Sequence, residues 1–122
     1  MSRDLERLLD SLDQMRELAL EVDGFLEGIT ADRFRRDRLT QRAVGMNLVL
    51  LGETVSEILK RFPDFAADHP DIAWRELLDL RHHIVAEFAT IDPGALWTAA
   101  TRTIPQLLSQ LSMLRQIRAQ GE

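Results

Sequence analysis

The chain has 122 residues, of which 45% are hydrophobic and 29% charged, with no cysteine and a formal net charge of −5. These values are typical of one globular domain, and they exclude a disulfide framework, a cysteine nucleophile and a thiolate metal site. The acidic balance argues against nucleic-acid binding through bulk charge alone, because phosphate contacts need clustered cations. The N-terminus is charged from its third residue and no apolar run could span a bilayer. We therefore expect no secretory signal, no membrane contact and a cytoplasmic location.

The first half of the chain predicts two long helices joined by a short one. Residues 2–28 carry apolar side chains at steps of three and four, which define one helical stripe. Thr30 is placed to cap a short helix in "ADRFRRD". A second stripe runs from Arg38 to Phe62, where Pro63 ends it. The two stripes comprise Leu5, Leu8, Leu9, Leu12, Met15, Ala19, Val22, Phe25, Leu26 and Ile29, then Val44, Leu48, Leu51, Val55, Ile58, Leu59 and Phe62.

The second half predicts two more helices after the break "PDFAADHPD". A third helix is expected to begin near Ala73 or Trp74 and to reach Phe88. "TIDPGALW" predicts the start of a fourth, with Asp92 as its cap and the following proline in its first turn. Pro105 should bend this last helix. The expected core positions are Leu77, Leu78, Ile84, Val85 and Phe88, then Leu96, Trp97, Ala100, Ile104, Leu107, Leu108, Leu111, Leu114 and Ile117.

No segment alternates polar and apolar residues with the period of a strand, and no repeat or low-complexity tract occurs. The predicted fold is therefore all-α. We expect a single up-and-down bundle of four main helices with short extra turns, formed by residues 1–122 as one domain.

Glycine and glutamate inside the second long helix indicate a close contact with another helix. A glycine such as Gly52 costs about 1 kcal/mol in a helix interior, so a neighbouring helix is expected to pack closely there. Glu53 is then either a charge that faces solvent or the partner of an arginine, for which Arg81 is the candidate.

The basic stretch "DRFRRDRLTQR" allows two interpretations. Its arginines Arg33, Arg35, Arg36, Arg38 and Arg42 could bind RNA phosphates or an acidic partner. The plainer interpretation, which we favour from sequence alone, is a solvated helix junction whose cations are diluted by two aspartates.

The stretch "RHHIVAEF", residues 81–88, places an arginine and two histidines in a predicted core helix. His82 and His83 are adjacent, so on a helix they diverge by about 100° and cannot chelate one ion together. No metal site and no cofactor are expected. On these residues alone, Arg81 and His82 could also serve only to pair with Glu53 or a backbone carbonyl.

The order of several segments resembles the HepT-like branch of the HEPN superfamily. The matching features are "LLGE", "HPDIAW", the arginine-led helix, "IDPGALW" and the proline in the final helix, from about Phe34 to Leu111. The resemblance implies a small helical bundle that acts as a metal-independent endoribonuclease toxin on RNA. It also implies a homodimer whose two protomers share a cleft, and a minimal nucleotidyltransferase as the antitoxin of a type VII-style toxin–antitoxin pair.

The family signature is arginine, four residues, histidine, one residue and tyrosine. Arg81 matches the arginine, and His82 occupies a position that is often asparagine or histidine in the family. The histidine position is Ala86 and the tyrosine position is Phe88, with Glu53 and His83 as supporting residues. A methyl group cannot carry a proton, so the resemblance implies an enzyme that is impaired as written.

Three explanations of position 86 remain open. The chain is a deliberately disarmed variant, a degenerate relative that is kept for binding, or an enzyme in which His82 or His83, one turn before Ala86, has taken over proton transfer. Two functions follow from these. One is an impaired HepT-like ribonuclease; the other is a catalytically silent helical subunit that binds a minimal nucleotidyltransferase.

Overall fold

A computed structural model of the chain describes residues 3–121, with side chains through Leu114. In this range helices follow one another without a strand. They are α1 (Arg3–Phe25), α2 (Ala31–Arg36), α3 (Arg38–Arg61), α4 (Pro63–Asp68), α5 (Trp74–Glu87), α6 (Pro93–Thr98), a π-helical turn (Ala99–Thr103) and α7 (Ile104–Gly121). The segment from α6 to α7 forms the fourth main helix after α1, α3 and α5. The predicted all-α bundle is confirmed, and none of the described helices is long and apolar enough to cross a membrane.

Two predicted helix caps are present. The Thr30 hydroxyl accepts a hydrogen bond from the backbone N–H of Arg33 at 3.2 Å, which starts α2. The Asp92 carboxylate accepts one from the backbone N–H of Gly94 at 3.1 Å, which starts α6. Each cap satisfies a donor that the first turn of a helix leaves unpaired. Local chemistry therefore fixes these two helix starts as the sequence indicates.

The segment that was predicted as the main break contains a helix of its own. Pro63 ends α3 as expected, but it also occupies the first turn of α4, where its missing N–H costs nothing. The indole N–H of Trp74 donates to the backbone carbonyls of Ala66 and His69, at 3.2 and 3.0 Å. These contacts fasten the end of α4 to the start of α5, so the segment is ordered by the helix that follows it.

Pro105 follows the π-helical turn. A proline inside a helix has no N–H to donate, and its ring crowds the carbonyl one turn earlier. A wider, π-helical turn before the proline accommodates the lost hydrogen bond and the crowding. The irregularity near Pro105 is the π turn before it, and the bend expected at this proline stays a prediction. The Thr101 hydroxyl donates to the Trp97 carbonyl at 2.7 Å, and the Thr103 hydroxyl donates to the Glu76 carboxylate at 3.0 Å. The second contact joins the π turn to α5.

The core is built from the stripes of the four main helices. Most of the predicted positions are buried, namely Leu8, Met15, Ala19, Val22, Val44, Leu48, Leu51, Val55, Ile58, Leu77, Ile84, Leu96, Ala100, Ile104, Leu107 and Leu111. Phe34 of α2 is fully buried although it was not predicted, and its ring centroid lies 5.4 Å from that of Trp97. Thus α2 is part of the core and not only a connection.

Four predicted core residues are exposed instead. Leu5 and Phe25 are 42% and 36% exposed on α1, and Val85 and Phe88 are 57% and 68% exposed at the end of α5. The prediction was wrong there because helical spacing identifies an apolar position without showing which neighbour covers it. Ile117 lies outside the residues whose side chains are described.

The closest approach of α3 and α5 occurs at Gly52. A Cβ at this position would lie 2.8 Å from the Cδ of Arg81 and even closer to its Cβ. The arginine stem therefore occupies the space that any larger residue in α3 would need. The predicted close packing at Gly52 is confirmed.

This contact generates a paired stability prediction. Gly52→Ala should destabilise the fold by about 1–3 kcal/mol, because the added methyl overpacks the α3–α5 contact. Gly45 lies about two turns earlier in α3, and a methyl group added there would meet no atom within 4 Å. Gly45→Ala should therefore stabilise the helix by up to about 1 kcal/mol, the usual difference between the two residues. Urea unfolding of both variants measures these changes, and effects of the same sign would contradict the packing described.

Candidate functional site

Arg81 lies across α3 with its guanidinium bound to the neighbouring acid. Its Nη2 donates to the Glu53 Oε1 at 2.5 Å, and the two side chains are 34% and 56% exposed. The predicted pairing is confirmed, and Glu53 both faces solvent and binds the arginine. Because Gly52 holds the stem and Glu53 holds the head, the guanidinium has a defined place at the edge of the two helices.

The Glu53 contact uses a small part of the binding capacity of Arg81. A guanidinium carries five N–H donors, and the hydrogen bond to Glu53 engages one nitrogen. The Nε atom is buried without a partner in the part of the chain that the structure describes. Arginine binds phosphate through two parallel donors, so this group can still receive an anion.

The two histidines have different surroundings. The Nε2 of His83 lies 3.6 Å from the Oε2 of Glu87, one turn later in α5. His82 is exposed, and among the described residues it has no hydrogen bond or ion pair. Its spacing places it on the same side of α5 as Ala86. His83 also lies one turn before position 86, and His82 is the histidine whose side chain has no partner among the described residues.

Ala86 and Phe88 lie at the exposed end of α5. Ala86 is accessible to solvent, and the Phe88 ring is 68% exposed. Five residues along a helix correspond to about 140° of rotation, so Arg81 and Ala86 project to different sides of α5. Within one protomer, the Arg81 side chain and the side chain at position 86 therefore lie on different sides of the helix.

Side chains that could bind a metal are dispersed in the described part of the chain. Residues 3–114 contain no group of three His, Asp or Glu side chains close enough to hold one ion. The groups that converge near α5 are arginines and apolar side chains. This arrangement of side chains can bind an anion next to an apolar surface.

The arginines of the basic stretch reach the end of α5, which sequence reasoning did not favour. A groove of about 740 Å³ is lined by Arg35, Arg38 and Arg42 on one side and by Val85 and Phe88 on the other. We call it the arginine groove. Its signal in the sequence is the helical spacing of positions 38, 42, 46 and 49, which places two exposed cations of α3 in line with an apolar stripe.

The junction between α2 and α3 is held by two polar side chains. Gln41 donates through Nε2 to the carbonyls of Phe34 and Arg35, at 2.8 and 3.0 Å. Asp37 caps α3 by accepting from the Thr40 hydroxyl at 2.7 Å and from its backbone N–H at 3.1 Å. The Thr40 hydroxyl, followed by the Thr40 N–H, holds the pKa of the Asp37 carboxyl below its usual range. These contacts order the junction that carries the groove arginines.

Comparison with known proteins identifies the family. The family described as "Ribonuclease HepT-like" matches residues 8–114, most of the chain. The chain belongs to the ribonuclease HepT-like family. The resemblance seen in the sequence is thereby confirmed, and the matched residues include the HepT-like arginine-led helix and the arginine groove.

Several curated proteins are similar over most of their length. A protein of Thermococcus cleftensis named "Probable ribonuclease HepT" is 30% identical over 107 residues, which cover 88% of this chain and 94% of that one. A candidate RNase of Methanocaldococcus jannaschii is 25% identical over 116 residues, covering 94% and 90%. Another from Caldanaerobacter subterraneus is 25% identical over 91 residues, covering 75% and 79%. No solved structure gives a significant match.

The Arg81–Glu53 ion pair yields a stability prediction, which tests whether the pair is needed to hold the bundle together. Ion pairs that are exposed to this degree contribute about 0–1 kcal/mol, so Glu53→Gln should lower the free energy of unfolding by less than about 1 kcal/mol. Urea unfolding at neutral pH measures the change. A loss above about 2 kcal/mol would mean that the pair behaves as a buried one and exists to hold the bundle together.

Proposed function

We propose that this HepT-like chain is the toxin of a type VII-style toxin–antitoxin pair. It is built as a metal-independent endoribonuclease and is impaired because position 86 holds alanine. The observation that carries the proposal is the position of Arg81, whose stem is packed against Gly52 and whose half-buried guanidinium is held by Glu53 through Nη2 alone. Relatives named as ribonucleases support RNA as the substrate.

The proposed chemistry assigns one role to each position. The Arg81 guanidinium stabilises the charge that develops on the scissile phosphate, through charge-assisted hydrogen bonds. The residue at position 86 moves the proton between the attacking and leaving oxygens, a contribution that is typically worth about 10²–10⁴-fold. Ala86 cannot do so. Phe88 keeps an aromatic ring at the position of the family tyrosine but offers no hydroxyl to modify.

A homodimer completes the proposed site. Arg81 and Ala86 project about 140° apart on α5, so one protomer does not bring them onto the same side. Met46 and Leu50 on α3 are 59% and 39% exposed, and Val85 on α5 is 57% exposed. This apolar surface, which we call the α3–α5 face, is what a second copy would cover. Packing two such faces would place both arginines and both positions 86 along one cleft.

The second candidate function is a catalytically silent subunit that binds a minimal nucleotidyltransferase. Ala86 and Phe88 favour it, because the chain lacks both the proton carrier and the hydroxyl of the family signature. A short neighbouring gene with a Gly-Ser and paired-aspartate signature would support the partnership in either case. Activity of a repaired variant separates the two functions.

The activity prediction rests on repair of position 86. The unmodified chain should show little RNA cleavage, and Ala86→His should raise it by about 10²–10⁴-fold, the usual effect of a positioned acid or base. The gain should persist in EDTA, make expression toxic, and disappear when Arg81→Ala is added. Cleavage is measured with labelled RNA on denaturing gels, and Ala86→Gln is the control for size and polarity without useful proton transfer.

Two outcomes contradict this prediction in different ways. If the unmodified chain already cuts RNA and loses the activity on His82→Ala, proton transfer has passed to His82. If Ala86→His gives a folded protein that is inert on RNA and harmless in cells, the ribonuclease proposal fails. The silent-subunit function would then be the better one.

The assembly prediction concerns the α3–α5 face. Light scattering at tens of micromolar protein should give the mass of a dimer. Leu50→Glu should shift the mass to that of a monomer, since a buried unpaired charge opposes association. Met113→Glu is the matched control, because Met113 is 56% exposed on α7, which packs on α1 and the π turn. A monomeric unmodified protein, or equal effects of the two variants, would contradict the proposed dimer.

A further inference from the structure

The arginine groove is a strongly cationic feature on an acidic chain. Arg35, Arg38 and Arg42 are all exposed, and the residues that line the groove include no aspartate or glutamate. The carboxylate of Asp32 lies 3.8 Å from Arg35 in a pair whose side chains are 67% and 85% exposed, so it neutralises little. In a chain with a net charge of −5, this concentration of cations marks a place for an anionic partner.

The groove is organised before any ligand arrives. Gln41 bonds the carbonyls at the end of α2, and Asp37 caps the start of α3, so the backbone that carries the arginines has a fixed geometry. Asp37 is occupied by its bonds to Thr40 and is not among the residues that line the groove. A preformed site loses less free energy to ordering when it binds.

The opposite wall supplies a different chemistry. Phe88 is 68% exposed and lines the groove outside the α3–α5 face, so its aromatic ring stays available beside the cations when that face is covered. Arginines that bind phosphates next to an aromatic ring that stacks on bases are the combination by which proteins hold single-stranded nucleic acid. In a duplex the bases stack on one another, and they are not available to such a ring.

We propose that the arginine groove binds single-stranded RNA, with Arg35, Arg38 and Arg42 on successive phosphates and a base on the Phe88 ring. The proposal rests on and extends the proposed function, because Phe88 lines the groove at the end of α5, two residues after position 86, so the strand would be led toward the cleavage position. It assigns RNA binding to three arginines outside the arginine-led signature and gives Phe88, at the last position of that signature, a role in stacking. The groove would bind RNA even though Ala86 prevents cleavage.

Binding can be measured on the unmodified chain, with a short labelled single-stranded RNA of mixed sequence and fluorescence anisotropy. Replacing Arg35, Arg38 and Arg42 together with glutamine should weaken binding at least about tenfold. The slope of log affinity against log salt should fall by about 0.7 for each phosphate that is no longer bound. The matched control replaces Arg7, Arg75 and Arg102 with glutamine. These exposed arginines lie outside the groove, and their removal changes the net charge equally.

The aromatic wall has its own pair of variants. Phe88→Ala should weaken binding about fivefold or more, since a stacked base contributes about 1–3 kcal/mol. Phe25→Ala, which removes an exposed ring on α1, should leave affinity unchanged. A duplex of the same sequence should bind more weakly than the single strand. Thermal unfolding of each variant checks that the bundle is intact, and single arginine replacements stand in if the triple variant unfolds.

Three results would overturn the proposal. One is that the groove variant binds the RNA as tightly as the unmodified chain or its matched control. Another is that a labelled polyglutamate peptide, and not RNA, binds in a way that depends on the groove arginines, which would assign the groove to an acidic protein. The third is that Ala86→His cuts RNA with the same KM whether or not the groove arginines are present. An inert Ala86→His with groove-dependent RNA binding would refute the ribonuclease proposal alone.

Discussion

The contact between the Arg81 stem and the bare backbone at Gly52 determines how α5 lies against α3. It brings α3 and α5 close enough for Glu53 to hold the guanidinium, and it fixes the rotation of α5. With that rotation set, Leu77 and Ile84 enter the core while Val85 and Phe88 remain outside. A charged residue thus serves as a packing element through its aliphatic stem and as an anion-binding group through its head.

The sequence predicted those parts of the molecule that depend on local chemistry. Helix caps at Thr30 and Asp92, and the apolar stripes of the main helices, follow from short-range rules and were confirmed. Gly52 was also informative, because a glycine inside a helix that the core requires has few explanations other than close packing. The pairing of Glu53 with Arg81 followed from the same contact.

The sequence alone could not show which apolar side chains are covered by a neighbouring helix. Val85 and Phe88 continue the stripe of α5, yet they line an open groove beside α3 and remain exposed. Phe34 was missed for the opposite reason, since a helix as short as α2 carries too little periodicity to show which side is buried. The arginine groove depends on both facts, because burial of Phe34 seats α2 where Arg35 lines the groove beside the exposed end of α5.

The side chain at position 86 does not contribute to the stability of the fold. Its side chain is exposed in the last turn of α5 and contributes nothing to the core, whereas Arg81 fills the space above Gly52. A lineage can therefore lose or regain a proton carrier at position 86 without disturbing the bundle, while loss of the arginine leaves a gap between two main helices. Under the proposed function, a copy silenced by alanine preserves the complete scaffold from which an active ribonuclease can be recovered.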